Sequence, residues 1–380
     1  MQIRLNVIVA AAAMMVAGVA YAQDTVVTIG HVGPTSGAIA HLGKDNENGA
    51  RLAIDDLNAK GTTIGGKKVT FKLDAEDDAA DPKQGTAVAQ KLVDSKVVGV
   101  IGHLNSGTTI PASKIYFDAG IPQISPSATN PKYTRQGFNT AFRVVADDVH
   151  LGGTLGRYAV KELKGKSIAV IDDRTAYGQG VAEEFVKGVK SAGGSIADQQ
   201  YTSNNATDFT AILTQIKAKK PDVVFYGGMD AQAGPLLRQM KQLGINAKLV
   251  GGDGICSAEL PKLSGGASGD DQVFCAEAGG VDPSGQATLD AWKARYKAKF
   301  GIDVQVYAPY VYDAVNVMVA AMVKAGSTDP KVYLPVLAKT DGYKGVTGTI
   351  SFDEKGDIKN GALTLHTYKG DKQENLAVIH

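Results

Sequence analysis

The chain has 380 residues, which exceeds the usual size of a single hydrophobic core and therefore predicts two lobes. Hydrophobic residues make up 44% and charged residues 21%, as in an ordinary globular protein. The formal net charge is +1, and without a basic stripe this balance argues against nucleic acid as a partner.

Residues 1–22 have the pattern of a targeting segment. They contain one basic residue, Arg4, an apolar run over residues 7–19, and the sequence Ala20-Tyr21-Ala22, which fits an A-x-A cleavage site. This pattern predicts a secretory signal peptide that is too short to span a membrane. Because no lipobox cysteine follows it, we expect a soluble protein of the bacterial periplasm and not a lipoprotein.

Strands and helices alternate through the first part of the mature chain. Strands are predicted at residues 26–32, 69–74, 97–102, 121–125 and 141–145. Between the second and third strands, Asp81 and Pro82 fit a helix N-cap and the first helical position. Such alternation predicts a parallel sheet with helices on both faces.

A second alternating series follows and predicts a second lobe of the same class. After a helix at residues 149–163, strands are predicted at residues 167–172, 195–201, 222–227, 248–251 and 272–276. Three further helices are predicted at residues 287–300, 308–325 and 332–338. The alternation at residues 347–365 predicts a hairpin with turns at residues 353–356 and 360–361. Helices after a completed second lobe suggest that the chain returns to the first.

The predicted fold is therefore α/β, with two doubly wound parallel-sheet lobes joined by a hinge that the chain crosses several times. We assign residues 23–145 and 278–350 to lobe one. Residues 146–277 and 351–380 are assigned to lobe two.

Several motifs for catalysis and metal binding are tested and fail. Gly165-Lys166-Ser167 resembles the end of a Walker A loop, but Val160 stands where the first glycine is needed, and a strand follows. The chain has no G-x-S-x-G elbow, and its six histidines have no metal-ligand spacing. We expect no catalysis, no metal and no cofactor.

The two cysteines, Cys256 and Cys275, lie close together in the sequence. In an oxidising compartment such spacing favours a disulfide. Two free thiols are the alternative.

Polar clusters follow two neighbouring strands of lobe one. Asn105-Ser106-Gly107-Thr108-Thr109 comes after the third strand, and Ser127-Ala128-Thr129-Asn130 after the fourth. Each cluster would offer hydroxyls and free backbone N–H groups at a helix start, which can hold a carboxylate without Arg or Lys. For each cluster, simple helix capping is the alternative reading.

Lobe two also places polar and apolar side chains after its strands, at Tyr177, Met229 and Asp253. Ligands of open α/β sheets bind beyond the carboxyl ends of the strands. Two such sheets that face each other would enclose a cleft able to close by hinge motion.

The mature chain resembles the periplasmic solute-binding proteins of branched-chain amino acid ABC transporters, the leucine/isoleucine/valine type. The segments that carry the resemblance are GHVGPTSGAIAHLG, AEDDAADPKQ, VIGHLNSGTTIPAS, SPSATNP, DDRTAYGQG, DVVFYGGMDAQAGPLLRQ and FDEKGDIK. The resemblance implies a type I periplasmic binding protein, monomeric, that delivers an amino acid to an inner-membrane ABC permease. A sensor that binds an amide or small carboxylate and signals to a regulator is the alternative.

The resemblance also implies a role for each site residue. Ser106 and Thr129 match positions that bind the ligand carboxylate. The Ser127 carbonyl and the Thr129 hydroxyl match positions that accept from the ligand ammonium, and Asp253 and Asp148 match acidic positions that face it. The side-chain pocket is implied for Leu42, Leu104, Asn105, Tyr177, Met229 and Tyr307.

This sequence departs from the family pattern at four of these positions. Leu42 and Met229 replace aromatic residues, Asn105 replaces a small apolar or thiol side chain, and Asp253 replaces a glutamate. A buried ammonium still requires a carboxylate, so an amino acid remains the expected ligand. Its side chain is expected to carry a polar group or to differ in size from leucine.

Overall fold

The computed structural model describes residues 25–380, so the predicted signal peptide lies outside the described residues. The chain first builds a six-stranded sheet in the order β2-β3-β1-β4-β5-β6, in which only β2 runs antiparallel to its neighbour. Its strands and helices are β1 (Thr25–Gly33), α1 (Ala40–Ala59), β2 (Thr63–Ile64), β3 (Lys67–Asp77), α2 (Pro82–Asp94), β4 (Val100–Gly102), α3 (Ser106–Ala119), β5 (Gln123–Ser125) and β6 (Ala141–Arg143). We call the part built on this sheet lobe one.

The local signals read from the sequence of lobe one account for these elements. The Asp81 carboxylate caps α2 by accepting from the N–H groups of Lys83 and Gln84 at 2.8 and 2.9 Å, and Pro82 occupies the first turn. Both features were predicted. In the centre of the sheet, β4 is buried at every position because helices cover both faces.

Lobe two is built on a seven-stranded sheet in the order β15-β14-β11-β10-β9-β7-β8. Its first elements are α4 (Asp148–Lys161), β7 (Ile168–Asp172), α5 (Ala176–Ser191), β8 (Ile196–Tyr201), α6 (Thr210–Ala218), β9 (Val223–Gly227), α7 (Asp230–Gln242), β10 (Lys248–Gly251), α8 (Leu260–Leu263) and β11 (Val273–Glu277). Strands β7 to β11 pair in parallel, as predicted. Helices alternate with these strands as expected of such a series, and the short α8 is an addition to it.

The chain then returns to lobe one with α9 (Pro283–Phe300), α10 (Ala308–Ala325) and α11 (Pro330–Leu337). The start of helix α10 packs very closely against α1. A Cβ on Gly49 of α1 would be only 2.3 Å from the Ala308 carbonyl oxygen. Only glycine fits at that contact. Among the described residues no helix is long and apolar enough to cross a bilayer, and α10 is a largely buried helix of the core.

The tail differs from the single hairpin predicted at residues 347–365. Strands β12 (Tyr343–Gly345) and β13 (Gly348–Ile350) form a separate two-stranded sheet, whereas β14 (Leu363–Lys369) and β15 (Lys372–Ile379) extend the sheet of lobe two. The predicted turn at residues 353–356 is present and is closed by a bridge between Phe352 and Ile358, but the segments around it do not form one hairpin. The hairpin of lobe two turns at Gly370, which has a φ of 57°.

The crossings between the lobes lie side by side. The first crossing lies between β6 and α4, and the second between β11 and α9. The Ala146 N–H donates to the Ala278 carbonyl at 2.8 Å, which joins these two crossings. The third crossing, between β13 and β14, passes the edge of lobe one, where the Arg143 N–H donates to the Gly356 carbonyl at 2.9 Å. The hinge therefore consists of three adjacent segments. The residue boundaries proposed for the lobes stay a prediction.

The predicted disulfide between Cys256 and Cys275 is present. It joins the segment after β10 to the neighbouring strand β11, with the two Cα atoms 5.5 Å apart. A closed loop of this length stabilises a chain by roughly 3 kcal/mol when its contribution is taken as lost unfolded-state entropy. The bond thus fastens the loop that begins at Asp253 to the sheet.

Candidate functional site

The residues singled out from the sequence lie where the two lobes face each other. Lobe one contributes Leu42 of α1, Leu104, Asn105 and Ser106 after β4, and Ser127 and Thr129 after β5. Lobe two contributes Tyr177 of α5, Met229 after β9 and Asp253 after β10. Tyr307 precedes α10, and Asp148 begins α4 at the hinge. All of them except Asn105 are buried.

The two polar clusters of lobe one contact each other directly. The Ser106 hydroxyl accepts from the Asn130 N–H at 3.2 Å, which joins the start of α3 to the loop after β5. Thr129 is fully buried, and its hydroxyl lies near the Asp148 carboxyl but makes no hydrogen bond of good geometry within residues 25–380. The start of α3 also carries backbone N–H groups and the positive end of the helix dipole. This surface is suited to a small anion.

The second cluster is not the helix start that the sequence suggested. Only a short 3-10 turn, Pro131–Tyr133, follows it, and the Asn130 side chain caps that turn by accepting from the Lys132 N–H at 2.9 Å. The Ser127 hydroxyl donates to the Leu104 carbonyl at 3.0 Å. The Ser127 side chain is therefore engaged in the protein, and the contact of its carbonyl with a ligand stays a prediction.

Arg143 fixes the loop after β5, and sequence reasoning missed it. The side chain is fully buried, and its Nη1 donates to the carbonyls of Ala128 and Asn130 at 2.9 and 3.0 Å, on either side of Thr129. Its Nη2 pairs with the Asp357 carboxylate from the third crossing. A charged residue within a strand pattern, at residues 141–145, was the signal that could have revealed it.

In lobe two, the carboxylate of Asp253 is held by two tyrosine hydroxyls. Tyr177 donates to one oxygen at 2.8 Å and Tyr307 to the other at 3.0 Å. Burial raises the pKa of Asp253 to about 6, although both hydroxyl bonds oppose that shift. The resemblance placed the tyrosines in the side-chain pocket, whereas here their hydroxyls orient the carboxylate.

Tyr307 belongs to lobe one, so its bond to Asp253 crosses the cleft. Its position depends on Asp45 of α1, a buried carboxylate that accepts from the N–H groups of Tyr307 and Ala308 at 2.9 and 3.0 Å. The same carboxylate accepts from the Tyr296 hydroxyl at 3.0 Å. Asp45 thereby anchors the start of α10 and positions the Tyr307 hydroxyl.

Asp148 is the unusual carboxylate of the site. It is fully buried, and neither oxygen makes a hydrogen bond within the described protein. Burial raises its pKa well above the ordinary value; the Thr129 hydroxyl lowers it, and the charge of Asp253 adds to the rise. A buried carboxylate without a partner is costly, and a cation brought by a ligand would relieve that cost.

An ion pair also closes the cleft beyond the site. His41 of α1 lies with its Nε2 2.7 Å from Oδ2 of Asp230, the first residue of α7, and the Ser257 hydroxyl bonds to the same oxygen. Burial opposes protonation of His41, but the hydrogen bond and charge of Asp230 outweigh it, so the pKa of His41 is raised. The Asn130 amide also donates to the Ala176 carbonyl at 2.7 Å, again from one lobe to the other.

The remaining pocket residues are mostly apolar. Leu42 and Leu104 of lobe one and Met229 of lobe two are buried. Among residues 25–380, no group of three or more His, Cys, Asp or Glu side chains could hold a metal ion. The arrangement offers hydroxyls and N–H groups, two buried carboxylates, and buried apolar side chains with one amide, Asn105.

Comparison with known proteins points to one family. The model of the family described as periplasmic binding protein matches residues 26–373. The chain is 39% identical over 363 residues to Leu/Ile/Val-binding protein homolog 1 of Brucella abortus, covering 95% of each chain. It is 36% identical, with the same coverage, to the leucine-, isoleucine-, valine-, threonine- and alanine-binding protein of Pseudomonas aeruginosa.

A solved structure agrees. The fold is similar to the substrate-binding protein LivJ of a branched-chain amino acid transporter from Streptococcus pneumoniae, in complex with isoleucine, with a TM-score of 0.83 and 28% identity. The match covers 93% of this chain and 99% of that one. The chain belongs to the periplasmic binding protein family and has its two-lobed type I fold.

Proposed function

We propose that this protein binds an amino acid in the cleft between its lobes and delivers it to an ABC permease of the inner membrane. The observation that carries the proposal is that two kinds of group meet between the lobes. Ser106 and Thr129 offer hydroxyls to an anion, and we call them the anion-binding side; the carboxylates of Asp148 and Asp253, which we call the carboxylate side, adjoin them, since the Asp148 N–H donates to the Thr129 carbonyl at 2.8 Å. An amino acid is a zwitterion whose two charges match the two sides.

The relatives support the same class of ligand, since those named above bind branched-chain and other small amino acids. We further propose that the protein is exported to the periplasm by its N-terminal segment, acts as a monomer and performs no chemistry on its ligand. In the proposed complex the ligand carboxylate lies against the start of α3, and the ammonium lies between Asp148 and Asp253.

Transport and sensing make different predictions for the bound protein. We expect that mass spectrometry of ligand released from purified, denatured protein identifies an amino acid. The loaded protein should then stimulate ATP hydrolysis by its permease in proteoliposomes, while the empty protein stimulates it less. An amide or a simple carboxylic acid as released ligand, together with no effect on the ATPase, would instead favour the sensor.

The anion-binding side can be tested by removing its hydroxyls. Ser106→Ala and Thr129→Ala should each raise the dissociation constant roughly ten- to a hundredfold, because a hydrogen bond to a charged group is worth about 1.5–3 kcal/mol. Calorimetry with the identified amino acid measures the change.

Ser113→Ala is a matched control for these variants, since this buried hydroxyl of α3 donates to the Ile110 carbonyl at 2.7 Å, away from the cleft. It should retain the affinity of the original protein. Unchanged affinity in both Ser106→Ala and Thr129→Ala would place the carboxylate elsewhere.

The carboxylate side is tested with Asp253→Asn, which keeps the size and removes the charge. Removing one partner of a buried charge pair costs about 3–5 kcal/mol, so binding at micromolar ligand should be lost. The ligand-induced compaction measured by small-angle scattering should disappear with it, because the closed form would lose its differential affinity.

Asp148→Asn is the comparison that separates the two carboxylates. If Asp253 alone carries the ammonium, Asp148→Asn binds normally, and a loss in both variants indicates that the carboxylates share it. If Asp253→Asn binds and compacts like the original protein, the proposed bridging role is wrong. Thermal unfolding of each ligand-free variant checks that the fold is intact.

The pair of His41 and Asp230 predicts a pH effect on closure. In an open form both side chains would meet water, so protonated His41 stabilises the closed form. That contribution is complete below the ordinary histidine pKa of about 6.5 and is lost as the pH rises through the raised pKa of the closed form. The ratio of the dissociation constants of His41→Gln and the original protein should fall roughly threefold between about pH 6 and 8.5.

Taking this ratio cancels the titration of Asp253, which both proteins share. Asp230→Asn is the matched variant and should show the same loss of pH dependence. A ratio that stays constant over this range would show that the ion pair does not contribute to closure.

A further inference from the structure

The Asn105 side chain does not make the capping hydrogen bond that is usual at its position. Asn105 is the N-cap of α3, where an asparagine side chain normally accepts from the backbone of the first turn. The N-caps Asp81 and Thr175 do make this contact. The amide of Asn105 is therefore available for another partner.

The backbone at Asn105 fixes where that amide points. Its carbonyl accepts from the N–H groups of Thr108 and Thr109 at 3.1 and 2.9 Å, and from the Thr109 hydroxyl at 2.8 Å. With the main chain held in this way, the side chain extends from lobe one to Met229 of lobe two, and Nδ2 lies 4.0 Å from the sulfur. A thioether is only a weak acceptor.

The oxygen of the Asn105 amide, Oδ1, is buried and has no hydrogen-bond partner at all within the described residues. Met229 in turn lies close to the loop that contains Asp253 and Gly254. A Cβ on Gly254 would be 2.9 Å from the Met229 sulfur. The amide thus lies across the cleft from the Asp253 loop, next in sequence to Ser106.

We propose that Asn105 is a specificity-determining residue that selects an amino acid whose side chain carries a hydroxyl, in the first instance a β-hydroxy amino acid. The inference rests on the proposed function, because it assigns the α-carboxylate and ammonium to the other residues of the cleft. The ligand side chain is then left to face Asn105, Met229 and the two leucines.

A hydroxyl fits this amide better than an ammonium or a methyl group does. A purely aliphatic side chain would leave the amide oxygen without a donor, and a buried polar atom without a partner is destabilising. A hydroxyl both donates and accepts hydrogen bonds. It can therefore bond to the Asn105 amide whether the amide oxygen or the amide nitrogen is turned toward the ligand. An ammonium satisfies only the oxygen.

Threonine and valine provide the sharpest test because they have nearly the same shape and differ by one hydroxyl. In calorimetry, the protein should bind L-threonine at least tenfold more tightly than L-valine, in line with the cost of an unpaired buried group. In Asn105→Leu, which replaces the amide with methyl groups of similar size, the preference should vanish or reverse.

Asn246→Leu, at an exposed position of lobe two, is the matched control and should keep the preference of the original protein. Equal binding of both ligands, tighter binding of valine, or an unchanged ratio in Asn105→Leu would overturn this inference and leave the proposed function standing. If the folded protein binds no amino acid at all, both fail. The comparison of the two ligands on the original protein holds even if Asn105→Leu does not fold.

Discussion

The structure depends on one constraint, that a charge removed from water must find compensating partners within the protein. Arg143 meets it with bonds to the carbonyls of Ala128 and Asn130 and with the Asp357 carboxylate. Asp45 meets it with backbone N–H groups at the start of α10. In both cases the bonds hold a loop at the edge of the cleft. Breaking such a buried pair on one side costs about 3–5 kcal/mol, which keeps these loops in place.

The same constraint distinguishes structural charges from those of the site. Asp313 is buried like Asp148, but it accepts from the N–H groups of Val346 and Thr347 at 2.9 and 2.8 Å. Asp148 has no such partners. The contrast explains why a buried carboxylate in one helix fastens a turn, while another at the hinge is suited to a cation that comes from outside.

Hydrogen bonds that join one lobe to the other stabilise the closed cleft. The bond from Tyr307 to Asp253 and the pair of His41 and Asp230 each join lobe one to lobe two. A ligand that bridges the hydroxyls of one lobe and the carboxylate of the other favours the closed form by its differential affinity. These interlobe contacts then add to the ligand's own contribution, and the three crossings of the hinge allow the lobes to move as bodies.

The sequence was sufficient to predict the two α/β sheets, the return of the last helices to lobe one, the disulfide and the polar ends of the strands. The sheets and the polar strand ends were predicted from local signals: a buried parallel strand needs a β-branched run, and a helix start needs a cap. The disulfide was predicted from the expected oxidising compartment, and the return to lobe one from the order of the elements. The tail was misread, because alternation at residues 347–365 does not state which strand each segment pairs with. Pairing is decided by distant neighbours, here β11 for β14.

Only the tertiary structure decided how the site is supported. No spacing in the sequence relates Arg143 to Asp357, Asp45 to Tyr307 or Asn105 to Met229, since each pair is joined by folding and not by a motif. The sequence determined which groups were available to bind a zwitterion and in which strands' loops they lie. Their orientation, burial and pairing depend on how two separate sheets meet, because desolvation and long-range hydrogen bonds exist only once the chain is packed.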